Sequence, residues 1–456
     1  MRFDRLVIDD PDDLVFGHAP FPVTTPRGLV IGGGRVYPEL NFTLPTMSIT
    51  PDTYGEVKRH YREIVDGALT RARELHQDGV VLEFETLLEM TLDPRLGIDI
   101  VGIMHDLCEE AFDKHGLRAE IRLTPNDTRD FERPVRMRSS RHLDAMFELF
   151  EGGARAGGDL LSIESTGGKE VCDEALMTCD LQQVVFSLAV LGVRDMRFLW
   201  RRIVEIARTT GTIPGGDTAC GFGNTAMVLA EKKYIPRVFA AVVRIVSVVR
   251  TLVAIEEGAL GPDKDCGYEG PFLKAISGRP ISMEGRTAAC AHASPLGNVA
   301  GACCDLWSNE SVNNVKLLAG MAPTVSMEQL IYDTRLFDQA IRQGHVHAYR
   351  DLMVRSDAGL DPQALILDPV AVIDISRAIV SGTSHVEAAV LGALKGLEII
   401  ARAVDDGSLR LEEREVGWIG MLQEQLEAMP RTEDGLLEAV LPQLDPTQVL
   451  LEEYGL

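Results

Sequence analysis

Short apolar runs alternate with longer stretches of helical periodicity through the middle of the chain. The run Gly79-Val-Val-Leu-Glu-Phe84 is one example, and helical sequence follows it. Strands of about five residues that alternate with helices indicate βαβ units and a parallel sheet. We predict strands at residues 79–84, 117–123, 159–164, 212–216, 252–256, 280–284, 324–329 and 364–367. This number of units favours a closed (β/α)8 barrel of the TIM type, an α/β fold that carries its active groups at the carboxyl ends of the strands.

The sequence on either side of this region has a different character. The first part of the chain is rich in proline and glycine, and a hairpin is predicted at 28–37. After residue 374 the apolar positions keep helical spacing, which predicts helices at 384–404 and 411–429. We therefore divide the chain into an N-terminal extension packed on the barrel (1–78), a catalytic barrel with the site (79–373) and a C-terminal helical extension (374–456).

Composition and charge limit the classes of partner. The chain has 456 residues, 45% of them hydrophobic, so it can bury a large core. A net charge of -24 would repel nucleic acid and anionic membranes. The apolar run 238–255 contains Arg244 and Arg250, which indicates a buried helix and strand and not a membrane span. Because the first residues do not form a secretory signal and the chain has eight cysteines, we expect reduced thiols and a cytoplasmic protein.

Three residues at predicted strand ends have the chemistry of metal ligands. Cys220 lies in the glycine-rich turn Gly215-Gly-Asp-Thr-Ala-Cys-Gly-Phe-Gly-Asn224, directly after a predicted strand. Glu164 ends another strand, and Cys266 follows a third through a short loop. Two thiols and one carboxylate, with a fourth position left for substrate, form the arrangement of a catalytic zinc site. Their proximity depends on the barrel, because they do not form a local motif.

A second group of residues offers a rival metal set. Cys290-Ala291-His292 is followed by the adjacent pair Cys303-Cys304, and these are metal-binding residue types. Adjacent cysteines rarely bind one ion with good geometry. Free cysteines are more often small buried hydrophobic residues, and we expect the same of Cys172 and Cys179.

Long segments of the chain resemble the zinc-containing methanol:corrinoid methyltransferases, the substrate-activating subunits of methanogenic archaea and some anaerobic bacteria. The matching segments are LLSIESTGGKEVCDEALM (160–177), GGDTACGFGNTAMVLAEKKYIPRVFAAVVR (215–244), EEGALGPDKDCGYEGPFLKAISGRPISMEGRTAACAH (256–292) and DLWSNESVNNVKLL (305–318). The resemblance extends through nearly the whole chain. It implies a (β/α)8 barrel with helical additions, which acts in one-carbon metabolism.

The resemblance also implies a ligand set, a reaction and partners. The zinc carboxylate of the family falls on Glu164 and its two thiolates fall on Cys220 and Cys266, with one Zn2+ in each chain. The expected reaction transfers methyl from methanol to the Co(I) corrinoid of a separate small protein, and self-association as a dimer is expected within that complex. The pair Cys303-Cys304 departs from the family, where small residues without thiols are expected.

Two other interpretations of the function stay open. The same zinc and corrinoid chemistry could act on another methyl donor, and a zinc with four protein ligands would indicate a structural scaffold of a methyl-transfer complex. The leaving oxygen also needs a proton donor, and the sequence does not choose among carboxylates near predicted strand ends. These are Glu83, Glu85, Asp217, Glu256, Glu257 and Glu284.

Overall fold

Seven parallel strands form the central sheet of the computed structural model. The structure describes residues 3–44, 47–264, 266–291, 293–312, 315–318 and 320–456. The strands are β1 (Tyr37–Thr43), β2 (Gly79–Glu85), β3 (Arg118–Thr124), β4 (Leu160–Ile163), β5 (Ile213–Asp217), β6 (Ser282–Glu284) and β7 (Leu306–Val312). Their order in space is β5-β4-β3-β2-β1-β7-β6, and all neighbours are parallel.

The gap between β5 and β6 is filled by an extended segment that the sequence pattern does not reveal. The backbone nitrogens of Leu260 and Gly261 donate to the carbonyls of Pro214 and Gly215 in β5, at 2.8 and 2.9 Å. On the other side, the nitrogen of Ser282 donates to the side chain of Asp263 at 3.1 Å. Pro262 lacks an amide proton and cannot extend the ladder. This segment takes the eighth place around the sheet, and the predicted (β/α)8 barrel is confirmed.

Helices surround the sheet and continue beyond it. They are α1 (Tyr54–Glu74), α2 (Leu88–Leu92), α3 (Pro94–His115), α4 (Arg141–Arg155), α5 (Lys169–Thr178), α6 (Leu181–Phe186), α7 (Val193–Thr210), α8 (Thr225–Glu231), α9 (Arg237–Glu257), α10 (Gly270–Ser277), α11 (Arg286–Ala291), α12 (Ala322–Arg342), α13 (Val346–Asp357), α14 (Pro362–Leu365), α15 (Pro369–Val380), α16 (His385–Asp405), α17 (Glu413–Ala428) and α18 (Glu433–Val440). The predicted C-terminal helices at 384–404 and 411–429 are confirmed as α16 and α17.

Three predicted strands are wrong because apolar sequence also suits a buried helix. Residues 252–256 lie in the last turns of α9, residues 324–329 lie in α12, and residues 364–367 begin with the last two residues of α14. Nearly every residue of α9 is buried, since α7 and α16 pack against it. In the part of the chain that the structure describes, α9 is the one helix long and apolar enough to cross a membrane, and 94% of that stretch is buried inside the protein.

The strands β1 and β7 were not predicted, since both carry polar residues into the barrel. Glu39 and Asn41 of β1 are buried, as are Ser308 and Asn309 of β7. The sheet therefore begins at Tyr37, well before residue 79, where the pattern places the first strand. A half-buried strand is recognised by apolar residues that alternate with polar ones. This pattern is lost when the buried face of the strand is itself polar, as it is near a functional site.

A hairpin closes the amino-terminal end of the barrel. Its strands are His18–Thr24 and Val30–Gly33. The second strand lies within the predicted hairpin at 28–37, whereas its partner comes earlier in the chain. Its apolar side chains form a separate buried cluster with the first residues of the barrel strands. At its tip, Arg27 forms ion pairs with Glu120 at 3.1 Å and Asp159 at 2.8 Å. This end of the barrel is sealed, which leaves the carboxyl end, here called the barrel mouth, for ligands.

Candidate metal centre

Glu164, Cys220 and Cys266 meet at the barrel mouth. Glu164 directly follows β4, and Cys220 begins a short π-helical turn (Cys220–Asn224) after β5. Cys266 lies in the loop between the extended segment and α10. One ligand atom from each of the three lies within 4.8 Å of the other two. The sulfur of Cys266 donates to Oε1 of Glu164 at 3.0 Å.

The donor set fits a single zinc ion. Tetrahedral zinc with Zn–S near 2.3 Å and Zn–O near 2.0 Å separates its ligand atoms by about 3.5 to 3.8 Å. The spacing of these three atoms allows that geometry with small side-chain movements. Among the described residues, no other group of three or more histidine, cysteine or acidic side chains converges in this way. The three residues would therefore hold zinc with a fourth position open, as in catalytic sites.

Burial and neighbouring charges favour the protonated forms of Glu164, Cys220 and Cys266 in the protein by itself. Burial and the neighbouring Glu85 raise the pKa of Glu164 to about 7. The hydrogen bond with Cys266 lowers the pKa of Cys220, but burial and the charge of Glu164 outweigh it and raise this pKa to about 12. Burial also raises the pKa of Cys266 well above its ordinary value. A bound divalent cation would supply the missing positive charge, and metal binding at such ligands releases protons.

Asp217 at the end of β5 fixes the loops that carry two of the ligands. Its carboxylate accepts hydrogen bonds from the nitrogen and hydroxyl of Ser165 at 3.1 and 2.8 Å. It also accepts from Nε1 of Trp200 at 2.9 Å and from the nitrogen of Thr218 at 2.8 Å. Arg250 lies 3.5 Å away and balances its charge. Asp217 therefore acts as a structural anchor next to Glu164, and these contacts are to groups other than the three candidate ligands.

Glu269 joins the loops of the two cysteines. Its Oε1 accepts from the nitrogen of Ala219 at 2.5 Å and from the hydroxyl of Thr251 at 2.8 Å. The nitrogen of Gly267 donates to Thr218 at 2.8 Å. A Cβ at position 267 would lie 1.9 Å from Oε2 of Glu269, so the backbone can approach this closely because the residue is glycine.

A buried lysine lies among carboxylates beside the ligands. Nζ of Lys264 is 2.7 Å from Glu83, 3.4 Å from Glu85 and 3.3 Å from Glu164. The side chains of Lys264 and Glu83 are each only 1% exposed. Burial acts to raise the pKa of Glu83, but Lys264 and Arg122 outweigh it and hold this pKa below its ordinary value. Lys264 was not predicted as a site residue, although it lies two positions before Cys266.

The six carboxylates proposed as proton donors now separate into two groups. Glu256 pairs with His385 at 3.1 Å, and Glu257 pairs with Arg201 at 2.9 Å. Both lie at the end of α9, which in a barrel of this kind is the end opposite the mouth. Asp217 is committed to its anchor contacts. Glu83, Glu85 and Glu284 remain near the ligands, and the hydroxyl of Tyr268 donates to Glu284 at 3.3 Å.

The rival metal set is not gathered in the described residues. Cys290 follows the carboxyl end of β6, whereas Cys304 precedes the amino end of β7, and these are opposite ends of the barrel. His292 lies outside the described residues. Cys303 and Cys304 are buried, and burial raises the pKa of both thiols. They pack in the core, as does Cys172.

A cavity of about 180 Å³ opens beside Glu164. Glu85, Phe131, Thr166 and Gly221 are among its other lining residues. Phe131 is 59% exposed, so its ring stands at the rim of the mouth. The cavity gives a small molecule access to Glu164 from outside.

Comparisons with known proteins agree with this fold over the full chain. The family model of MtaB, the methanol-cobalamin methyltransferase B subunit, matches residues 1–455. A methanol–corrinoid protein co-methyltransferase from Methanosarcina barkeri (strain Fusaro / DSM 804) is 33% identical over 445 residues, which are 96% of this chain and 95% of the relative. The crystal structure of the methanol:cobalamin methyltransferase complex MtaBC from Methanosarcina barkeri has a TM-score of 0.94 and 32% identity, and covers 100% of this chain and 99% of that chain. The chain therefore belongs to the methanol-cobalamin methyltransferase B subunit family.

Proposed function

We propose that this chain transfers the methyl group of methanol to the Co(I) corrinoid of a partner protein, with one zinc ion held by Glu164, Cys220 and Cys266. The observation that carries the proposal is the convergence of these three ligand atoms within 4.8 Å at the mouth of the barrel. Membership of the family gives the reaction class, and the relatives from Methanosarcina barkeri are named for methanol and a corrinoid protein.

The reaction needs an acid because hydroxide is a poor leaving group. Methanol, Co(I) and one proton give methyl-Co(III) and water: the C–O bond breaks, a C–Co bond forms, and the electron pair comes from cobalt. Bound zinc supplies Lewis acidity for the alcohol oxygen. The protein holds the alcohol in the cavity beside Glu164, and the buried walls of the mouth limit access of bulk water. Glu85 and Glu284 are the proposed proton donors, because Lys264 and Arg122 hold the pKa of Glu83 below its ordinary value.

The corrinoid partner would dock over the barrel mouth, because the opposite end is closed by the hairpin. Its cobalt must face the cavity that Phe131 and Glu164 line. We also propose that the chain associates as a dimer within this complex, on the basis of the resemblance. A cytoplasmic location is in keeping with its eight free cysteines.

Metal content and turnover on one preparation test the proposal. Zinc is counted per chain, and the cobalt absorbance is followed when the protein meets methanol and a reduced corrinoid protein. About one zinc per chain with methanol-dependent methyl-cobalt formation supports it. Turnover with another methylated donor and none with methanol would assign a different substrate. Zinc without turnover on any donor would indicate a structural scaffold.

A further inference from the structure

Lys264 has contacts that extend beyond a simple ion pair. Its ammonium group lies 2.7 Å from Oε1 of Glu83 and 3.3 Å from Oε1 of Glu164. The same oxygen of Glu164 accepts the hydrogen bond of Cys266. The buried ammonium group of Lys264 therefore contacts Oε1 of Glu164, which is also the oxygen that faces the sulfur of Cys266.

The anchors of Lys264 are themselves held by neighbouring strands. Glu83 and Glu85 alternate along β2, so their side chains leave the same face of the strand. Thr124 of β3 donates to Glu83 at 2.7 Å, and Asn41 of β1 donates to Glu85 at 3.0 Å. The position of the ammonium group is thus determined by three strands.

We propose that Lys264 is a positioning residue for the metal centre: it holds the carboxylate of Glu164 in place and draws negative charge from it, which keeps the bound metal electron-poor. This inference rests on the proposed function. Two thiolates and one carboxylate bring three negative charges to a divalent ion, so the centre alone is a mild acid. A cation hydrogen-bonded to the carboxylate ligand weakens its donation to the metal. Groups that bond to metal ligands in this way tune the metal as well as orienting the ligands.

A purely structural role for Lys264 gives a different expectation. Burial of Glu83 needs a compensating cation, and Lys264 supplies it. If that were its whole role, neutralising Glu83 and Lys264 together would leave the metal centre unchanged. The double variant therefore separates the two roles, since it removes the charge pair without leaving one charge buried alone.

The test compares Lys264→Met/Glu83→Gln with Glu83→Gln in the full-length chain loaded with Co2+ in place of zinc. Visible absorption of the loaded chain, recorded without the corrinoid partner, reports the geometry and donor strength of the ligands. We expect Glu83→Gln to keep the spectrum of the unsubstituted chain and the double variant to shift it. In the zinc form, we expect kcat for methanol to fall about 10- to 100-fold in the double variant while zinc is retained.

Controls cover stability and folding. Lys274 and Asp305 form another fully buried pair, at 2.9 Å, on the far side of the barrel from the mouth. Lys274→Met/Asp305→Asn removes a comparable pair and should leave the cobalt spectrum unchanged. If the methionine variant does not fold, Lys264→Gln/Glu83→Gln keeps a polar side chain without the charge and should shift the spectrum in the same direction.

Two negative results have different meanings. A double variant with the spectrum and the kcat of Glu83→Gln would overturn this inference alone. Absence of thiolate-to-cobalt absorption in the unsubstituted chain would overturn the proposed ligand set, and this inference with it.

Discussion

The sulfur of Cys266 lies 3.0 Å from Oε1 of Glu164, although 102 positions separate the two residues in the chain. The contact exists because β4 ends at Ile163 and the extended segment before Cys266 pairs with β5, the neighbour of β4. Each residue is delivered to the mouth by a different part of the barrel. The candidate metal centre therefore exists only in the closed sheet. Substitutions of the three candidate ligands, and of the groups that hold their loops, should both affect it.

Loss of either proposed thiolate should remove the metal. We expect Cys220→Ala and Cys266→Ala to lose most of the bound zinc and methyl transfer, because two remaining ligands do not hold zinc tightly. Zinc per chain and circular dichroism are the measurements. The matched control is Cys172→Ala, a buried cysteine of the core, which should keep zinc at a stability cost of about 1 kcal/mol. Full zinc content in both ligand variants would contradict the assignment.

Removal of the Asp217 anchor should destabilise the protein. Asp217→Ala leaves the buried Arg250 without this carboxylate and removes an acceptor from Ser165 and Trp200. We expect the free energy of unfolding to fall by about 3 to 5 kcal/mol, as for other broken buried charge pairs. Urea unfolding measures this. The exposed Asp66 is the control, since Asp66→Ala should change stability by no more than about 0.5 kcal/mol.

Stability should fall with rising pH through the carboxyl of Glu120. Burial and the charge of Asp159 raise the pKa of Glu120 from 4.5 to about 7. Between these two values the folded state keeps a proton that the unfolded state releases, so the free energy of unfolding decreases as pH rises. Glu120→Gln should remove this slope, by an amount on the order of 1 to 3 kcal/mol between pH 4.5 and 7.

Urea midpoints at several pH values between these limits check the effect of Glu120. Glu109 contacts the same Arg27 but is 46% exposed, and Glu109→Gln should keep the slope of the unsubstituted protein. An unchanged slope in Glu120→Gln would show that this carboxyl is already ionised in the folded protein.

Phe131 should contribute to docking of the corrinoid partner. Its exposed ring lies at the rim of the cavity that Glu164 lines, and exposed aromatic side chains at a binding surface often carry much of the affinity. We expect Phe131→Ala to raise the KM for the corrinoid protein by about 5- to 10-fold with kcat nearly unchanged. Phe112→Ala on α3, 39% exposed, is the control and should leave KM unchanged. An equal KM in both variants would place the docking surface elsewhere.

Part of the fold followed from local sequence. The apolar runs of β2 and β4 and the helical spacing of α16 and α17 were sufficient, because burial on a sheet or along a helix face imposes these patterns directly. The same reasoning failed for α9, where a helix buried on all sides has no polar face to distinguish it from a strand. It also failed for β1 and β7, where polar residues such as Glu39 and Ser308 face the barrel interior.

Cys266 was chosen as a candidate ligand on the basis of a predicted strand that the structure does not contain. It was expected to follow a strand at 252–256, but that segment is the end of α9. The segment that does reach the mouth, Ala259 to Lys264, contains glycine and proline and has no apolar run. It is extended because β5 offers its carbonyls at the open edge, and a single sequence does not contain that pairing.

By itself, the sequence determined the strands β2 to β6, the C-terminal helices and the three residues with zinc-binding chemistry, since these depend on residue type and on local pattern. The tertiary structure alone decided that the three ligand atoms lie within 4.8 Å of one another, that Asp217 is an anchor, and that Lys264 contacts Glu164. These relationships join residues from different strands. They exist only once the barrel is closed, because distance in space is set by strand pairing and not by separation along the chain.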